Sequence, residues 1–228
     1  MKKLFFITLL LVSTSLSFTA CNDDELESKA PSTVKAVDLG LSVKWASCNV
    51  GANSPEEKGD YFAWGETKPQ EGNLYRKETY KWGDYERGWL KYNEDDLVTT
   101  LESKDDAATV NFGKKWRMPT EEEAQELIEK CKWSVTCYNG VTGFLVTGTN
   151  GNSIFLPCAG RLKNGKYNEQ PGVYAGYWTS SICIDREYQN SIYEDQGCVL
   201  SGSSKYSNKL ELEGDERYMG QSIRPVRP

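Results

Sequence analysis

Seven cysteines and no histidine set the range of chemistry open to this 228-residue chain. Without an imidazole there is no Ser-His-Asp triad and no Cys-His dyad, and the usual general base near neutral pH is missing. Zinc would need an all-cysteine or cysteine–carboxylate site, and no two cysteines are spaced Cys-x-x-Cys. Carboxylates remain: Asp95-Asp96, Asp105-Asp106 and Glu121-Glu122-Glu123. Glycosidases work with two carboxylates held at a defined separation. These acids are sequence neighbours in polar stretches, and such runs are more often solvated faces or charges at a helix N-terminus. The residue types therefore favour a non-catalytic protein with no metal and no cofactor.

The N-terminus places one cysteine apart from the rest. Lys2 and Lys3 precede the apolar run Leu4 to Val12, and small residues lead to Cys21. This is the pattern of a secretory signal peptide over residues 1–20; the run is too short for a membrane span, which takes about 20 residues. Phe18 is too large for ordinary cleavage before Cys21, whereas a lipoprotein signal tolerates bulk there and requires the cysteine. The exit resembles a lipobox, with Phe18 departing from the usual leucine. Cys21 is thus expected to carry lipid; ordinary secretion is the alternative. Asn22-Asp23-Asp24-Glu25 resembles the surface-export signal of gut Bacteroidetes lipoproteins, and residues 21–33 read as an acidic tether. The expected location is the outer membrane, lipid-anchored and facing outward.

Residues 34–228 suffice for one domain with a sizeable core. A net charge of −6 with no basic cluster argues against a nucleic-acid partner. Six cysteines remain, Cys48, Cys131, Cys137, Cys158, Cys183 and Cys198, an even number that suits disulfides in an exported chain, with 15 connectivities open.

The positioning elements are short. Residues 34–48 alternate as strands broken at Asp38-Leu39-Gly40, and 59–64 form a second strand candidate. Residues 66–100 are a long polar segment carrying Tyr75, Tyr80, Trp82, Tyr85, Trp89 and Tyr92. A loop of that length is functional or is stabilised by its own side chains. One or two helical turns are expected over 103–109. The clearest element is a helix entered at Thr120, where Glu123 completes a capping box. Ala124, Leu127, Ile128 and Cys131 form its apolar face, and Pro119 fixes its start. Two strands follow around Asn150-Gly151, a hairpin signal. Further strands are expected over 176–184, 196–201, 209–212 and 222–226. Many short strands with few helices predict an α+β domain.

The motifs "DLGLSVKWASCNVG", "GDYFAWGET", "DDAATVNFGKKWRMPTEEEAQEL", "NGNSIFLPCAGR", "GYWTSS" and "GQSIRPV" occur in that order. In this order they resemble the Fibrobacter major paralogous domain family of Bacteroidetes lipoproteins, over nearly the whole mature chain. That family resembles the C-type-lectin-like fold, which also includes the formylglycine-generating enzymes. The resemblance implies that Trp116, Arg117, Pro119, Thr120, Trp178 and Arg224 are structural. It implies a ligand surface on late loops, where seven of the 13 tyrosines lie between 167 and 218. Candidate ligand residues are Tyr174, Tyr177, Tyr188, Asn190, Tyr193, Tyr206 and Asn208, rigid aromatics mixed with adaptable amides. Cys48–Cys131 is the pairing that the family motifs imply; Cys137–Cys158 would bracket the hairpin, and Cys183–Cys198 suits adjacent strands. Glu169-Gln170-Pro171-Gly172 comes near a calcium-lectin signature, but Gly172 lacks the carboxylate, so calcium-mediated sugar binding is not expected. The leading expectation is a binding module for a glycan or a surface protein. A structural or pilus-tip component, and an oxidase like the formylglycine-generating enzymes, are the alternatives.

Overall fold

The two ends of the domain are stitched together. Strand β1 (Ala36–Val37) pairs antiparallel with β2 (Lys44–Ala46), and β2 pairs with β13 (Val226–Arg227). The computed structural model describes residues 29–84, 86–185 and 191–228. Between the ends lie α1 (Ala107–Phe112) and α2 (Glu121–Lys130) and four more small antiparallel sheets. Strands β3 (Gly83–Asp84) and β4 (Gly88–Trp89) form a two-residue hairpin, and β8 (Arg161–Lys163) pairs with β9 (Lys166–Glu169). Strands β5 (Lys132–Tyr138), β6 (Val141–Thr147) and β7 (Ser153–Pro157) make a meander. The largest sheet is a long ribbon, β10 (Tyr174–Asp185) against β11 (Ser191–Ser203), with β12 (Glu211–Glu216) on its side. The domain is thus α+β, built of small antiparallel sheets with two helices among the described residues.

Local sequence explains the best-defined parts. Thr120 accepts from Glu123 N at 3.3 Å and the Glu123 carboxylate accepts from Thr120 N at 2.9 Å, a closed capping box. Alternation buries Phe144, Val146, Ile154 and Leu156 beneath the meander, against Leu127 of α2 and Tyr177 and Leu200 of the ribbon. A second apolar cluster joins Phe62, Trp64, Trp116, Met118, Trp178 and Val199. A third, rich in tyrosine, joins Tyr61, Tyr75, Tyr80 and Leu162. Gly220 lies against the Tyr75 ring so closely that a Cβ there would fall 2.6 Å from it.

Several boundaries differ from the sequence expectation. Residues 59–64 form one bridge, Phe62 to Gln221, instead of a strand. The final strand shrinks from 222–226 to Val226–Arg227, because Arg117 and β2 flank Val226 while Ser222 serves Tyr177 and Gln221 serves Phe62. Helix α1 begins at Ala107, because buried Asp106 caps it by accepting from Thr109 N at 2.8 Å. Strand β5 was not expected at all. The domain also starts before residue 34: Lys29 N donates to Phe112 O at 3.1 Å, and Ala30 and Val34 pack on the core. Residues 29–33 therefore belong to the folded body.

Candidate functional site

Arg217 follows β12 and is fully buried. Its Nε donates to Tyr80 Oη at 3.1 Å; Nη1 donates to the Tyr92 and Glu194 carbonyls at 3.1 and 2.7 Å, and Nη2 to the Lys91 carbonyl at 2.9 Å. The rings of Trp64, Trp89 and Tyr80 lie 4.8, 5.1 and 5.5 Å from its guanidinium carbon. A buried charge needs compensation. Here π faces and carbonyl dipoles supply it, and no carboxylate pairs with Arg217 among the described residues. One arginine thereby ties the 82–98 segment to β11.

That segment is tightly built. Asp96 accepts from the backbone N–H of Tyr92, Asn93 and Val98 at 2.7, 3.2 and 2.9 Å. Burial opposes its charge, but these donors outweigh it and hold the carboxyl below its ordinary pKa. Asp105 is buried, and its carboxylate accepts from Lys91 at 2.6 Å, Tyr92 Oη at 2.8 Å and Lys81 at 3.1 Å. Again burial is outweighed by donors, and the pKa is lowered. Asn73, Tyr75, Tyr92 and Leu97 have positive φ, four of the six described non-glycine residues that do. Such strain persists only where surroundings enforce it, and it gathers at functional segments. Tyr75, Tyr80 and Tyr92 are core residues, so this loop carries its own small interior.

Above that floor the segment meets β11 at Glu194. Glu94 N donates to Glu194 Oε1 at 2.7 Å. Leu90, Leu97 and Tyr193, on the segments so joined, are 48%, 73% and 41% exposed. The tryptophan faces nearby are occupied: Lys81 and Lys91 stand over Trp82, and Lys77 and Arg217 over Trp89.

The sequence-predicted ligand residues do not converge. Tyr177 is buried and donates to Pro157 O at 2.7 Å, which makes it a core residue. Tyr174 is half-buried beneath the Arg161 guanidinium, 5.1 Å from its ring. Tyr206 and Asn208 are exposed in the β11–β12 turn, and Tyr174 pairs with Ser203 beside them. Tyr193 stands near the other end of β11, about 33 Å away along the strand at ~3.3 Å per residue. Tyr188 and Asn190 lie outside the described residues, as do Cys21 and the signal region. Of the described candidates, Tyr193 adjoins Glu194, whose carbonyl accepts from Arg217. Arg217 itself, Leu90 and Leu97 were not singled out from the sequence. Only the length and aromatic content of 66–100 signalled them.

Trp116 and Trp178 are buried, and Trp178 Nε1 donates to Phe62 O at 2.8 Å. Arg117 grips Glu123 with both terminal nitrogens, at 2.7 and 2.5 Å, a pairing that raises its pKa. The Arg117 backbone exchanges hydrogen bonds with Val226. Pro119 O accepts from Ser180 N at 2.7 Å. Buried Asp106 also accepts from Met118 N at 2.9 Å; burial raises its pKa. The Trp-Arg-Met-Pro stretch is therefore a joint between α1, α2, the ribbon and the terminal strand. Arg224, fully buried, donates to Asn49 Oδ1 and to the carbonyls of Ala46, Ser47 and Phe155.

The expected disulfides are not formed. Cys48, Cys131, Cys137 and Cys158 are thiols, with Cys137 exposed and Cys48 and Cys158 buried. Cys137 and Cys158 flank Thr142 from opposite sides, since Cys137 pairs with Thr142 across β5–β6 and Cys158 N donates to Thr142 O. Two strand spacings of about 4.8 Å exceed the reach of a disulfide, ~7 Å between Cα atoms. Cys48 sits beside Arg224, whereas Cys131 packs at the end of α2, and no disulfide joins them. Cys183 and Cys198 line one small cleft with Glu121. The carboxylate pairs are used locally: Asp96 in a turn, Asp105 with lysines, Asp106 as a cap, Glu123 in the capping box. Among the described residues no three metal-ligating groups cluster.

These features define an α+β domain whose longest loop and longest ribbon are locked together beneath an exposed face. No family model, no curated protein and no solved structure matches the chain.

Proposed function

We propose that this is a lipid-anchored outer-membrane surface protein whose domain, similar to the Fibrobacter major paralogous domain and C-type-lectin-like in kind, is a non-catalytic binding module. Its face is the junction of segment 82–98 with β11 around Glu194, and its ligand is a protein surface. The observation that carries this reading is the Arg217 brace. A rigid, pre-paid loop lowers the ordering cost of binding, and strained, self-packed loops of this length are built for a task. Leu90, Leu97 and Tyr193 supply apolar contact, whereas sugar stacking needs an open aromatic face, and Trp82 and Trp89 have theirs covered by cations. Cys21 carries the lipid, and Cys21→Ser should move the protein from the membrane fraction to the soluble one; unchanged membrane association contradicts the anchor.

The binding test uses the Cys21→Ser chain against panels of surface proteins and glycans. The expected outcome is a protein ligand whose affinity falls about tenfold or more with Leu97→Asp and is unchanged with Tyr206→Ala. Binding confined to glycans, or lost with Tyr206→Ala and kept by Leu97→Asp, overturns the assignment of the face.

A further inference from the structure

Strand β5 is the outer strand of the meander and pairs only with β6 among the described residues. Thr142 O accepts from Cys158 N, so Thr142 turns its backbone toward β7. Its β5 partner Cys137 therefore forms a non-hydrogen-bonded pair. By alternation Trp133, Val135 and Cys137 direct their N–H and C=O groups away from the sheet. The strand is seven residues long, has no register shift, and from Trp133 to Tyr138 has neither a charge nor a proline. Val135 and Tyr138 are exposed. Edges of this kind are normally blocked by charge, bulge or proline. The outer strand β12 is protected in that way, with Glu211, Glu213, Asp215 and Glu216.

We propose that β5 pairs antiparallel with β5 of a second copy of this chain, about a two-fold axis at Val135. The register is self-complementary. Val135 meets Val135 in a hydrogen-bonded pair, and Trp133 of each copy meets Cys137 of the other, so every outward group of the three residues is satisfied. The same register sets Lys132 opposite Tyr138 of the other copy. Tyr138 adjoins Asn139, whose Nδ2 donates to Glu56 Oε1 at 2.9 Å, so a carboxylate lies beside that end of the strand. Each copy thus brings a cation near a carboxylate of the other, twice by symmetry. A foreign strand would satisfy the backbone but has no such reason to match both ends.

Sedimentation of the Cys21→Ser chain tests this from about 1 to about 100 μM, where weak homodimers dissociate. A reversible dimer is expected. Val135→Pro should abolish it with the thermal melt intact, since only an outward N–H is lost. Lys132→Glu should weaken the dimer about fivefold or more at low salt, and adding Glu56→Lys should restore it. A chain monomeric throughout that range overturns the proposal. So does a dimer that survives Val135→Pro, or one that the paired charge exchange fails to recover.

Discussion

Arg217 and Arg224 are seven positions apart, both fully buried, and both spend their donors on neutral acceptors. Their surroundings differ. Arg224 holds regular structure: carbonyls at the end of β2 and within β7, plus Asn49. Arg217 holds a loop: carbonyls of Lys91 and Tyr92 on one side and Glu194 on the other, inside a ring of aromatics. The same side chain therefore closes the scaffold in one place and shapes the exposed face in the other. The difference lies in what each region can do when the arginine is lost. Strands already pinned by neighbours cannot turn their carbonyls to water. A surface loop can.

Replacing Arg224 by Met should break the comparison most strongly. Three buried carbonyls and the Asn49 amide lose their donors at once, and each orphaned group costs about 1–3 kcal/mol. Partial relaxation leaves an expected loss of about 3–5 kcal/mol, measured as a shift in denaturant midpoint with unchanged slope. A loss under about 1 kcal/mol would mean that the terminal-strand sheet does not depend on this residue.

Arg217→Met should cost less globally, about 2 kcal/mol, because the freed carbonyls of Lys91 and Tyr92 can rehydrate. Its signature is local. Amide exchange should rise across 82–98 and at Glu194 while β2 and β7 stay protected. Uniform loss of protection would erase the proposed distinction between scaffold and face.

What the sequence disclosed follows the same line. Thr120, Glu123 and Pro119 act on their own neighbours, and the start of their helix was readable to the residue, whereas Cys131, expected on its apolar face, is the extended residue that ends it. The Asn150-Gly151 hairpin was equally local. Strand β5 was readable in principle, since Asn139-Gly140 is a turn with both φ positive and Lys132 to Tyr138 alternates before it. The face was only half legible. The aromatics of 66–100 marked an unusual loop, yet their direction depends on Arg217, 125 residues beyond Tyr92, and no local pattern reports a contact so distant. Tyr174 and Tyr177 shared a candidate list although an odd spacing on a strand sends them to opposite faces; one is core, the other half-buried. The Cys137–Cys158 expectation rested on an even count and hairpin proximity, and strand register overrode it at Thr142.

The finest test separates the two regions by pH. The loop has a second anchor that Arg224's region lacks: Asp105, ion-paired with Lys91 and Lys81 and accepting from Tyr92. Asp96 and Glu102 nearby also have lowered pKa values, Asp96 despite burial through backbone donors, and Glu102 through hydrogen bonds from Lys91 and Lys104. A carboxyl whose folded pKa is depressed contributes stability that is complete above its unfolded pKa, about 4. That contribution is lost as pH falls through the folded value. Acid should therefore loosen 82–98 before it loosens β2, β7 or β13. Asp105→Asn removes the buried carboxylate and turns an amide toward two ammonium groups. At pH 7 it should cost about 1–2 kcal/mol, discounted from a full buried pair because Lys81 is half exposed. The gap between wild type and variant should narrow as pH drops through the depressed pKa, since the wild-type carboxyl is then neutral too. Denaturant midpoints at pH 7 and near pH 3, with exchange followed in 82–98, measure both effects. A gap that widens in acid would show that Asp105 is held by something other than its lysines. A gap of constant size would show that its hydrogen bonds, and not its charge, fasten the loop.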